Sequence, residues 1–217
     1  AYVSLSHGMG FKRLVRQIKI FVFVLLLSVP LVQSAKAGPL GMKEKMAPHK
    51  ALYDIEMVSK SSGSQIVNIS GQMFYEWKPG CEAWTTDHRF NLFYEYADSP
   101  PIRITSDFST YETFDGQSFD FTSRRKRNGV LYQEIRGRAE TIPDKGGKAL
   151  YTIPAALSYD LKPPTLFPMA HSLEVLERAA EGKKFYNATV FDGSDDEGPV
   201  EISTFIGNRI DAAPLLK

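Results

Sequence analysis

The sequence predicts a mainly β, single-domain fold: long antiparallel strands curling into an open barrel or half-barrel, with one principal α-helix. Three observations carry this. Between residues 50 and 153 apolar side chains recur with a period near two, not 3.6. Asp115-Gly116 and Asn128-Gly129 separate alternating segments, and such pairs favour two-residue turns whose positive φ suits the twist of a hairpin. Only one segment carries a helical stripe, and it follows Pro163, Pro164 and Pro168.

The elements follow in order. Residues 51–58 and 66–77 alternate roughly, and further strands are expected at 84–96, 102–114, 118–125, 130–142 and 149–153. Ser62-Gly63, Pro79-Gly80, Pro100-Pro101 and Gly146-Gly147 supply the remaining turns. Long antiparallel strands with one apolar face must cover that face, which favours curling over a flat sheet. The helix spans 169–181, with Met169, Leu173, Leu176 and Ala180 on one stripe and Gly182 as its stop. A single amphipathic helix beside a curved sheet packs into the concave face or plugs its open end. Strands resume at 184–191 and 199–206.

The N-terminal segment reads as an export signal. Lys12, Arg13, Arg16 and Lys19 precede an apolar run from Ile20 to Val32, and small residues Ala35 and Ala37 follow. As a helix the run reaches only about 20 Å, against a hydrocarbon core of roughly 30 Å. Pro30 interrupts its end. Residues 1–37 are therefore expected to be an upstream extension, ahead of Met9, plus a signal cleaved between Ala37 and Gly38, leaving no stable transmembrane anchor. The domain is expected over 38–217, with its closing strands beyond Lys217.

Composition narrows the function classes. With 26 basic and 25 acidic residues the net charge is +1, which gives no global field for nucleic acid or an anionic membrane. Cys81 is the single cysteine, and in an oxidising compartment it reads as a buried small hydrophobe, a reactive thiol, or half of a bridge completed beyond residue 217. There is no phosphate-cradling glycine loop, no Gly-x-Ser-x-Gly elbow and no His-Glu-x-x-His pair. His7, His49, His88 and His171 are far apart in sequence, so no catalytic residue, metal ligand or cofactor is expected. His171, at the start of the helix, reads as a surface or capping residue. Asp192, Ser194 and Asp196 imitate half of a calcium loop, but Glu197 stands where the sixth position needs glycine, so a solvated hairpin turn is expected. Arg124-Arg-Lys-Arg127 belongs at a hairpin tip, where it suits lipid headgroups, an acidic partner, or protection of an exposed strand end.

Several ordered stretches together resemble the EipB-like family of alphaproteobacterial cell envelope integrity proteins. They are His49-Lys-Ala-Leu-Tyr-Asp54, Gly71-Gln-Met-Phe-Tyr-Glu-Trp77 with Cys81-Glu-Ala-Trp84, Thr165-Leu-Phe-Pro-Met-Ala-His171, and Phe191-Asp-Gly-Ser-Asp-Asp-Glu-Gly198. The resemblance implies a periplasmic, spiral-like open β-barrel with a role in envelope maintenance and no established catalysis. It also implies that Cys81 pairs with a cysteine near the C-terminus, which in this sequence could stand only beyond residue 217.

Two functional classes follow. One is a non-enzymatic interaction module whose partners are other periplasmic envelope proteins, a repeat-type scaffold among them. The other is a carrier or chaperone holding a lipid or lipoprotein acyl chain in the sheet's concavity. The placement of the helix discriminates between them, because buried Met169, Leu173 and Leu176 would leave little room for an acyl chain. N-terminal sequencing of the exported protein should begin at Gly38; a mature form retaining Phe21 to Leu27 would contradict cleavage.

Overall fold

A computed structural model describes residues 46–209. The expected cleavage between Ala37 and Gly38 lies outside the described residues.

The period-two segment forms an eight-stranded meander: β1 (His49–Glu56), β2 (Ile66–Pro79), β3 (Ala83–Tyr96), β4 (Ile102–Thr113), β5 (Ser118–Arg127), β6 (Val130–Ile142), β7 (Gly146–Ile153) and β8 (Ser158–Leu161). Each strand pairs antiparallel with the next, in the order β1 to β8. Among the described residues β1 and β8 do not pair with each other, so the sheet stays open. Asn128 (φ 50°) and Gly129 (φ 84°) form the expected tight turn between β5 and β6. Gly146-Gly147, expected as a turn, instead opens β7; the chain reverses at 143–145, where Asp144 takes φ 62°.

The sequence predicts a single antiparallel sheet. A second, three-stranded sheet is also present, in the order β11 (Val200–Phe205), β10 (Phe185–Val190), β9 (Thr165–Leu166). β9 and β10 run parallel, pairing Thr165 with Thr189. The reason is topological: helix α1 (Pro168–Ala180) lies between them, and a parallel pair needs such a crossover. β8 and β9, four and two residues long, are too short to leave a periodic signature.

The register settles which side chains face inward. Phe119, Phe121, Ile135, Ala139, Ala149 and Tyr151 on β5–β7 form the main core with Leu161, Phe167 and Phe191. Trp77, Trp84 and Met169 form a second cluster. Gly137 makes room for the first core: a Cβ there would stand 2.4 Å from the Phe121 ring.

α1 buries Met169 and Leu173, whereas Leu176 is 50% exposed and Ala180 is exposed. The expected four-residue stripe thus shortens to two, because the helix docks by its N-terminal half. Leu173→Asp should cost several kcal/mol by placing a charge in an apolar contact. Leu176→Asp should stay within about 0.5 kcal/mol of the parent. Urea denaturation of the two variants checks the contrast.

Candidate functional site

The most unusual side chain is Glu112. It stands on β4 between Trp84 of β3 and Phe119 of β5, on the inner face, and is 1% exposed. α1 begins at Phe167-Pro168 with no side-chain cap of its own. Its first free N–H groups need an acceptor from elsewhere. Glu112 supplies it: the Met169 N–H donates to Oε2 at 2.7 Å and the Ala170 N–H donates to Oε1 at 2.7 Å. A carboxylate at a helix N-terminus also meets the positive end of the helix dipole. Burial pushes the Glu112 carboxyl up to about 7, against the two N–H bonds that hold it down.

Sequence reasoning missed Glu112. Two signals pointed to it: a helix opening without Ser, Thr, Asp or Asn, and a glutamate at an inward position of an alternating strand. A cleft of about 230 Å³ opens beside it, lined in part by Trp84, Phe114, Ala170 and Leu173.

The connection between β10 and β11 is a second plug. The expected solvated turn is corrected here, because the loop is fastened to the inner face of the meander. Phe191 is fully buried. Arg125 donates from Nη2 to the Ser194 carbonyl at 3.0 Å, and the Tyr151 hydroxyl donates to the Asp195 carbonyl at 2.9 Å. The Tyr159 hydroxyl donates to the Asp196 carbonyl. Burial, with nearby Tyr159 and the loop aspartates, raises the Tyr151 hydroxyl well above its ordinary range. Gly193 (φ 63°) comes so close to the Phe121 ring that a Cβ would stand 2.5 Å away. Among the described residues, no three His, Cys, Asp or Glu side chains gather as a metal-holding group.

His49 and His88 share Tyr75 as a neighbour, whereas His171 packs on Tyr186. His49 Nε2 lies 2.8 Å from the Tyr53 hydroxyl. His88 Nε2 lies 2.9 Å from the Met73 sulfur, and burial lowers its pKa. The Tyr75 ring packs against both imidazoles. His171, expected at the surface or as a cap, stacks on Tyr186 with a buried Nε2 that has no hydrogen-bond partner, and burial lowers its pKa. Tyr186 in turn donates to Glu174, and burial pushes its hydroxyl up to about 12. Cys81 is exposed in the β2–β3 turn, which removes the buried-hydrophobe reading.

The architecture is that of an open, barrel-like antiparallel sheet filled by one docked helix and one inserted loop. The model of the EipB-like family matches residues 41–216, and the chain belongs to that family. It is similar to the cell envelope integrity protein EipB of Brucella abortus (strain 2308), at 33% identity over 174 residues. That match covers 78% of this chain and 60% of the relative's length. A crystal structure of a beta-barrel-like protein of a domain of unknown function, DUF1849, from Brucella abortus is also similar. Its TM-score is 0.71 at 31% identity, covering 75% of this chain and 68% of that one. No helix among the described residues is long and apolar enough to cross a membrane.

Glu112→Ala should cost roughly 2–5 kcal/mol, since it orphans two buried N–H groups and leaves a void. The folded-state pKa lies above the ordinary glutamate value of 4.5. The associated stabilisation is therefore full below about 4.5 and is lost as pH rises through about 7. Chemical denaturation across that window should show the parent losing stability relative to Glu112→Gln.

Proposed function

We propose that this protein supports the integrity of the cell envelope from the periplasm by binding other envelope proteins, without turning over a substrate. The observation that carries this reading is the filled concavity. Phe167, Met169, Leu173 and Phe191 are buried in or against the sheet. Glu112, the one buried carboxylate among the described residues, is committed to backbone N–H groups. What such a body offers a partner is its outer surface. The family relationship supports the envelope role, and the export pattern of residues 12–37 supports the compartment.

A carrier reading draws on a different part of the inner face. Toward β1, Tyr53 is 40% exposed, and Met73, Tyr75, Phe90 and Leu92 are only half-buried. Recovery of the protein with a stoichiometric lipid would put the carrier ahead.

Deletion of the gene should sensitise cells to detergents and to cell-wall antibiotics. Complementation should survive Ala replacement of His49, His88 and His171. It should fail when the outer surface of the meander is altered without unfolding the protein. Loss of complementation from one folded histidine variant would contradict the non-enzymatic reading.

A further inference from the structure

One end of the meander carries chemistry that neither the core nor the plugs use. From Phe121 to Gln133 the β5–β6 hairpin contains no acidic residue and four consecutive cations, Arg124 to Arg127. The two deeper ones are engaged: Arg124 Nε lies 3.0 Å from Glu134, and Arg125 donates to Gln133 and to the Ser194 carbonyl. Lys126 and Arg127 are exposed and have no carboxylate partner among the described residues. Beyond the turn, Val130 is 70% exposed, Leu131 46% and Tyr132 50%. The Arg127 guanidinium sits 5.4 Å from the centre of the Tyr132 ring.

The neighbouring strand extends this surface. Asn128 is tied to Arg103 by two bonds: its side-chain oxygen accepts the Arg103 N–H at 2.8 Å, and its own N–H donates to the Arg103 carbonyl at 2.8 Å. The Arg103 guanidinium in turn lies 5.5 Å from the ring of half-exposed Phe93. The adjoining β3–β4 end carries Glu95 and Asp98, so the unopposed cationic surface is confined to the tip and Arg103.

We propose that the β5–β6 hairpin tip docks on an anionic lipid surface, with Lys126, Arg127 and Arg103 at the phosphate level and Val130, Leu131 and Tyr132 among the outer acyl carbons. An acidic protein would satisfy the cations but would not require two exposed branched aliphatics and an exposed aromatic in the first three residues of β6. A membrane interface uses both, because long cationic side chains reach the headgroups while apolar stems and rings sit below them. Each basic residue near an anionic surface contributes roughly fivefold in affinity, so three give on the order of a hundredfold. This proposal goes beyond the protein-contact function and does not depend on it.

The test places a reporter at the tip of the full-length protein. In Tyr132→Trp, the new indole is exposed, whereas native Trp77 and Trp84 are buried and should be silent. With vesicles of phosphatidylcholine and phosphatidylglycerol, its emission should shift to the blue and be quenched by brominated acyl chains. Pure phosphatidylcholine vesicles should give little response, and high salt should abolish it. Adding Lys126→Glu and Arg127→Glu should remove the response while the thermal transition is retained. The apolar segment at 20–32 can bind lipid by itself, so the charge-reversed variant, which keeps that segment, is the control for it. Leu131→Trp serves as a second reporter if Tyr132→Trp fails to fold. No response to phosphatidylglycerol, equal response to phosphatidylcholine alone, or persistence in the charge-reversed variant would overturn the proposal. So would binding of the tip to an acidic protein without any response to vesicles.

Discussion

Glu112 joins the two halves of the fold. An inward carboxylate on β4 accepts the first two free N–H groups of α1, each at 2.7 Å, between Trp84 and Phe119. A carboxylate excluded from water is costly, and its upward pKa shift to about 7 records that cost. Removing it is costlier, because the helix N-terminus would then be buried without an acceptor. The interaction therefore specifies position more than it adds stability. It determines where the helix starts, and through that it brings Met169 onto the two tryptophans and Phe167 into the main core.

The loop from 191 to 198 fills the rest of that core by similar physics. Its backbone carbonyls are taken by Arg125, Tyr151 and Tyr159, all rooted in the meander, and Phe191 is its apolar anchor. Helix and loop together turn an open sheet into a filled body without closing β1 on β8. That leaves function to be sought on the outer faces, the hairpin ends and the half-buried inner face toward β1.

Much of this was legible in the sequence. The meander, its Asn128-Gly129 turn and the helix follow from period two, from turn chemistry and from a single 3.6-residue stripe, all of which are local signals. What was illegible depends on distant pairings. Leu176 has the right spacing to be buried, but the C-terminal half of the helix meets β10 through Glu174 and Arg178, which contact Tyr186, and Leu176 is left 50% exposed. The parallel pairing of β9 with β10 rests on two residues in β9, too few for any periodicity. The acidic run at 192–197 looked solvated because its carboxylates are polar, whereas its backbone and Phe191 do the packing. Glu112 was overlooked because a lone glutamate in a strand reads as solvent-facing until the register is known.

The central claim is that the helix is held in place by its buried acceptor, so that the concavity is occupied in the native state. Native-state amide hydrogen exchange at Met169 and Ala170 tests it most directly. If Glu112 fastens the helix, both amides should exchange only on global unfolding, as slowly as the amide of Phe121 in the main core. Exchange at the rate of an open helix terminus, while Phe121 stays protected, would show that the helix undocks and that the barrel is not filled.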